Sequence, residues 1–263
     1  MGSVRGVDGL LTFNNSLKSE VEVERLLDIN MMENPAHVLD QNGWQVCGKI
    51  GKSVLANEFY LAGGTGLALQ IKHRRSFDLD FFRRDSEEKI PFRKIDNELK
   101  HLFGFAKIDL KQADQATWYI EGIKVTFLAY PFPLLHPLVP GESISPALKG
   151  IFLAAPEEIA LMKAYALGRR ATIRDYLDLY FLLKPGIVTL AEIIADSNRK
   201  YIINRENIFS ARLFLEQLVY MEDLEDRDIL PNLLFSPLTV NEMESYFKSL
   251  VRRYLSENVA RPE

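Results

Sequence analysis

Cysteine is almost missing. Cys47 is the only one in 263 residues, which excludes an internal disulfide and makes the reducing cytoplasm the expected compartment. The four histidines, His37, His73, His101 and His136, are scattered, so no zinc-ligand spacing exists. An excess of positive charge is also lacking: 32 lysines and arginines stand against 36 aspartates and glutamates, for a net charge of −4. This excludes a chain-wide basic field for nucleic acid and confines any RNA contact to a local patch. No apolar run is long enough for a transmembrane helix, and no basic start with an apolar stretch opens the chain. Neither membrane insertion nor secretion by those routes is expected. With 47% hydrophobic residues, the chain can bury a sizeable core as one large domain or two small ones.

Three regions are expected. Residues 1–33 read as an N-terminal extension, with Gly, Ser and Asn followed by helical spacing from Val21 to Ile29. Residues 34–150 read as an α/β core with a helix over 35–57, a helix near 91–102, and strands at 104–112, 116–121 and 123–130. The stretch from Pro131 to Pro146 reads as a linker wrapping the sheet. Residues 151–263 read as all helix. Pro156 with Glu157 and Glu158 suits a helix start, and Lys184-Pro185-Gly186 a stop. Thr189 to Glu192 and Thr239 to Glu242 are capping boxes. The spacing of Phe209, Leu213, Phe214 and Leu218 assigns them to the core.

The chemistry concentrates in two short segments. Phe59 to Ala62 is an apolar run that ends at Gly63-Gly64-Thr65, and Leu67, Ala68, Leu69 and Ile71 continue at helical spacing. The glycines thus sit where a strand gives way to a helix. Without Cβ atoms, Gly63 and Gly64 let phosphate approach free backbone amides at the positive end of the helix, with the Thr65 hydroxyl beside them. Fourteen residues after Gly64, Phe77, Leu79 and Phe81 alternate with Asp78 and Asp80. Strand alternation puts both carboxylates on one face. Such a pair repels unless a cation lies between, and its oxygen donors suit Mg²⁺ that also holds substrate phosphates.

Gly-Gly-Thr, a short helix and His73-Arg74-Arg75-Ser76-Phe77-Asp78-Leu79-Asp80, followed by Pro156 to Lys163 and Arg174-Asp175-Tyr176-Leu177-Asp178, together resemble the AbiEii/AbiGii toxin family of nucleotidyltransferases. The resemblance spans roughly residues 35 to 185. It implies an α+β fold of the polymerase-β-like type, a mixed sheet with flanking helices followed by the helical C-terminal region. It implies Mg²⁺ at Asp78 and Asp80, and a nucleoside triphosphate on Gly63, Gly64, Thr65, Arg74, Ser76, Lys163, Asp175 and Asp178. Nucleotide transfer to an acceptor such as a tRNA end, in an abortive-infection or type IV toxin–antitoxin system with a winged-helix antitoxin, follows by the same resemblance.

One departure bears on catalysis. On the strand with Ile123, Val125 and Phe127 facing inward, Thr126 stands where this fold usually carries a third carboxylate. A hydroxyl is a poorer Mg²⁺ ligand, so either Asp109 on a neighbouring strand substitutes or the second metal is weakly held. The alternative is a non-catalytic NTP-binding or protein-interaction module. Two further segments need weighing. Gly48 to Ser53 imitates the end of a P-loop, yet Val46 occupies the place of its first glycine and no strand precedes it. Lys72, His73, Arg74, Arg75, Arg83 and Arg84 form a basic cluster around the aspartates, suited equally to triphosphate, RNA or neighbouring acids.

Overall fold

The computed structural model describes residues 37–85 and 89–258; the expected extension over 1–33 lies outside them. The α+β architecture is present. A seven-stranded mixed sheet in the order β3-β4-β5-β2-β1-β7-β6 carries helices on both faces. Its strands are β1 Phe59–Ala62, β2 Asp78–Arg83, β3 Lys107–Lys111, β4 Gln115–Ile120, β5 Ile123–Leu128, β6 Val139–Pro140 and β7 Phe152–Leu153. The helices that matter for the site are α1 Gln41–Gly51, α2 Leu55–Glu58, α3 Gly63–Ile71, α4 Phe92–Phe103, α5 Pro156–Leu167 and α6 Ile173–Leu183. Four more α-helices, α7 Leu190–Lys200, α8 Ala211–Leu218, α9 Leu230–Leu233 and α10 Val240–Asn258, follow.

The central strands divide two cores. Leu79, Phe81, Val125, Phe127, Ala116 and Trp118 face one side and pack with α1 and α4 through Val46, Ile50, Ile95 and Leu99. On the other side Tyr60, Ala62 and Phe82 join Ile159, Leu177, Phe214 and Phe247 of the helical half. Antiparallel pairing aligns Ala62 with Asp80, and parallel pairing aligns Asp80 with Thr126. Thr117 of β4 continues that row. The segment before α5 does not simply wrap the sheet: Val139–Pro140 pairs with β7 and makes an edge strand, where proline's missing donor is tolerated.

Several local expectations need correction. The helix expected over 35–57 is broken after Gly51, because Ser53 Oγ donates to the Ile50 carbonyl and accepts from Leu55 N, competing with the helical ladder. Asp40 caps α1 through Gly43 N at 2.7 Å. The P-loop imitation is helical there, with Gly48 to Gly51 inside α1. The last third is not all helix: Ile202–Ile203 and Glu206–Asn207 pair as a small hairpin, closed by Asn204 and Arg205 at φ 52° and 70°. β-Branched isoleucines and an asparagine tolerant of positive φ favour that turn. Phe209, Phe214 and Leu218 are core, but Leu213 is exposed, since α8 buries only a narrow stripe. Both capping boxes form. Glu192 N meets Thr189 Oγ1, and Glu242 N meets Thr239 Oγ1, each at 3.2 Å. No described helix is long and apolar enough to cross a membrane.

Candidate active site

A cleft of about 690 Å³ lies between the sheet and the α5–α6 pair. Asp78 and Asp80 project into it from β2, as strand alternation requires, with Thr126 and Lys124 beside them on β5. Among the described residues, no hydrogen bond reaches the Asp80 carboxylate. Burial, and then the charge of Asp78, raise the Asp80 pKa above its ordinary value, against the pull of Lys163, Arg170 and Lys124. The ionised form is therefore held at a cost that a cation would relieve. Asp78 is more open, its side chain 37% exposed, and meets Arg174 Nη1 at 3.3 Å.

The glycine turn closes over this pair. Gly63 has φ +62°, and a Cβ there would lie 2.7 Å from Asp80 Oδ2. Glycine is thus required twice, by backbone conformation and by the approach of the carboxylate. At Gly64 a Cβ would fall 1.9 Å from Arg74 Nη2. No side chain caps the start of α3, so its first amides remain available for an anion in the cleft.

The expected hydroxyls are directed elsewhere. Thr65 Oγ1 donates to the Asp78 carbonyl, so Ser76 Oγ must donate in the 2.6 Å contact with Thr65 Oγ1. Both hydroxyl protons bind α3 to the strand that carries Asp78. Arg74 is likewise committed. Its Nε and Nη2 grip Asp178 at 2.7 and 3.1 Å, and Nη1 donates to the Arg75 carbonyl.

Asp178 is the centre of a buried shell of donors, two of them the cations Arg74 and Lys163. Besides Arg74 it meets His73 Nε2 at 2.7 Å and Lys163 Nζ at 2.7 Å. Burial alone would raise its pKa, but Arg74, Lys163 and His73 hold it well below the usual carboxylate range. It does not line the cleft. Asp175, one turn earlier, does: it accepts from Lys163 Nζ at 2.8 Å and from Thr172 Oγ1 at 2.8 Å. Against the effect of burial, Asp178 and Asp175 raise the Lys163 pKa. The ammonium is thus pinned in the protonated form on the wall opposite the carboxylates.

The structure brings Gly63, Gly64, Thr65, Arg74, Ser76, Asp78, Asp80, Lys163 and Asp175 to one cleft and sets Asp178 behind it. It also adds Arg169, Arg170, Thr172 and Tyr130, which no spacing pointed out; Gly168-Arg169-Arg170 reads in sequence only as a helix end. Asp109 does not substitute for a third acid. It is exposed on β3, with β4 and β5 between it and β2, roughly 14 Å away at about 4.8 Å per strand. Thr126 instead meets Thr117 Oγ1 at 3.2 Å. The basic cluster is not one patch: His73 and Arg74 are buried on Asp178, while Arg83 pairs with Asp85 and Arg84 lies over Phe152.

A carboxylate pair on a central strand, a glycine-initiated helix and a lysine held opposite meet in this cleft, and comparison with known proteins gives the family. The family model described as "Nucleotidyl transferase AbiEii toxin, Type IV TA system" matches residues 46–255. The chain belongs to the AbiEii nucleotidyltransferase toxin family. The chain is also 32% identical over 209 residues to protein aq_aa25 of Aquifex aeolicus (strain VF5), covering 76% of this chain and 90% of that one. Among solved structures it resembles MenT4, a nucleotidyltransferase toxin from Mycobacterium tuberculosis H37Rv, with TM-score 0.50 and 15% identity over 86% of this chain and 82% of that one. At that identity the likeness speaks for the fold. As a member of the AbiEii nucleotidyltransferase family, the protein is an enzyme.

Proposed function

We propose that the protein transfers a nucleotide from an NTP to an RNA acceptor such as a tRNA end, with Mg²⁺ at Asp78 and Asp80. In this reading it is the toxin of a type IV pair, restrained by a winged-helix antitoxin. Residues 34–150 form its catalytic core, and 151–263 form the helical half that brings Lys163 and the arginines to the cleft. The observation that carries the reading is the half-buried Asp80, without a hydrogen-bond partner among the described residues, beside Asp78 and facing a cationic wall across one cleft.

The donor set fits Mg²⁺: two hard carboxylates on one strand face, with no cluster of three or more acidic, histidine or cysteine ligands among the described residues. Water and substrate phosphates would complete such a coordination shell. When bound, the cation neutralises triphosphate charge and stabilises the negative charge of in-line displacement. The chain's own part is positioning. Amides at Gly63 and Gly64 donate to the outer phosphates, and Lys163, fixed by Asp175 and Asp178, holds a point charge where pyrophosphate charge develops. Arg170 and Arg174 line the same wall. An acceptor hydroxyl attacks the α-phosphorus, and pyrophosphate leaves.

The test is incubation with Mg²⁺, total RNA and each NTP labelled at the α-phosphate, beside an Asp78→Ala control. Label should enter RNA with the unaltered chain alone. Label entering protein would overturn the RNA acceptor, and no transfer with any nucleotide would overturn the reading.

A further inference from the structure

Among the described residues before α5, the exposed phenylalanines and tyrosines are Phe77, Phe105 and Tyr119, at 49%, 75% and 40% exposure. All three lie at one end of four adjacent strands. Register places Asp78 beside Lys124, Lys124 beside Tyr119, and Tyr119 beside Lys107. Directly paired residues share a face, so this row lies on the side of the sheet that holds the carboxylates. Phe77 precedes β2 by one residue and lines the cleft; Phe105 stands two residues before β3.

The opposite face of the same strands is ordinary core, with Ala116, Trp118, Val125 and Phe127 buried. An exposed tyrosine between two lysines has no such packing to explain it. The acids on these three strands and their turns are Asp109, at the β3 bulge, and Asp114 and Glu121, in the turns; none falls in the row. The helical wall across the cleft is already matched to an anion by Lys163, Arg170 and Arg174, which leaves the sheet side for a second substrate.

Resting on the transferase reading, we infer that the row Asp78–Lys124–Tyr119–Lys107 is the track along which a single-stranded nucleic acid delivers its terminal hydroxyl to the carboxylates. Bases stack on Tyr119, and backbone phosphates meet Lys124 and Lys107. Aromatic faces interleaved with cations are the sequence-tolerant way to hold single strands. Three strand spacings, about 14 Å, match about four nucleotides at the roughly 3.4 Å rise of stacked bases.

The experiment is fluorescence anisotropy of a labelled single-stranded oligoribonucleotide with the full chain, across a salt series and without NTP. Tyr119→Ala should weaken binding about tenfold, with Tyr119→Phe close to unaltered protein. Lys107→Ala should weaken it and reduce the log–log salt slope by about 0.7. Arg212→Ala, on exposed α8, should change neither, and Mg²⁺-dependent NTP binding should survive in every variant. Equal binding by Tyr119→Ala and the unaltered chain, or no oligonucleotide binding where NTP still binds, would overturn the track and leave the transferase reading standing. Weakening by Arg169→Ala but not by Tyr119→Ala would move the acceptor to the helical side. A Tyr119→Ala change in sedimentation rather than in RNA affinity would make the row a contact between two copies. Oligonucleotide binding through Tyr119 and Lys107 without any nucleotide transfer would uphold the track and sink the transferase reading.

Discussion

Two pairs of aspartates, similar in sequence, have opposite fates. On β2, Asp78 and Asp80 face a cleft, and Asp80 has no hydrogen-bond partner among the described residues. On α6, Asp175 and Asp178 are saturated by Lys163, Arg74, His73 and Thr172, with the Asp178 side chain fully buried. Charge neutralised from within the chain builds structure, whereas charge left unneutralised is available for a ligand. The helix pair serves the strand pair by fixing the ammonium that faces it.

The comparison breaks first at Asp178. Its replacement by alanine leaves Arg74 and Lys163 buried without their shared counter-ion, so stability should fall by roughly 3–5 kcal/mol, read in urea unfolding. At this chain length thermal midpoints should drop by about 10 °C. Asp80→Asn should do the reverse, raising the midpoint at neutral pH while transfer falls roughly 10²–10³-fold, the scale seen when one electrostatic contributor to a transition state is removed. Thermal melts run beside label transfer separate the two effects.

Acid titration sharpens the contrast, because the signs are opposite. Asp178 has a lowered folded pKa, so its contribution is complete above the ordinary carboxylate value of 3.8 and is lost as pH falls below it. Asp80 has a raised folded pKa, so its ionisation costs stability at neutral pH and the cost vanishes in acid. Melting curves between pH 3 and 7 should converge for Asp80→Asn and the unaltered chain at the acid end. For Asp178→Asn the variant should instead stay below the unaltered chain throughout, the gap beginning to narrow only as pH falls under 3.8.

A smaller effect is expected at Gly63. Gly63→Ala meets both a positive φ and Asp80 Oδ2, so it should cost about 1–2 kcal/mol of stability and also impair transfer. Gly104→Ala has a similar φ, +73°, but open space around its Cβ, so it should lose stability and keep activity. The smallest effect belongs to Asp109→Asn, whose remote, exposed position predicts transfer within about twofold of the unaltered chain, and stability within about 0.5 kcal/mol.

Much of the site was legible because it is local. Strand alternation put Asp78 and Asp80 on one face and Val125 and Phe127 on the other, and the structure keeps both assignments. The Gly63-Gly64 turn was readable because its demand is backbone geometry between two adjacent elements. The roles of Thr65 and Ser76 were not. Their hydroxyls had two classes of partner within reach, and only the closure of α3 onto β2 directs them to the Asp78 carbonyl. Arg169 and Arg170 carried no periodic signal, since the turn between α5 and α6 meets the cleft only after the helices pack.

The α+β class, the central strands, the capping boxes and the strand carboxylates are local properties of the chain, each following from periodicity or from contacts a few residues apart. Long-range packing makes Asp178 a buried counter-ion while Asp175 lines the cleft, keeps Asp109 three strands from the carboxylates, and aligns lysines and a tyrosine from three strands in one row. Those outcomes depend on strand order and helix docking, which join residues far apart in the chain, 105 positions in the His73–Asp178 contact.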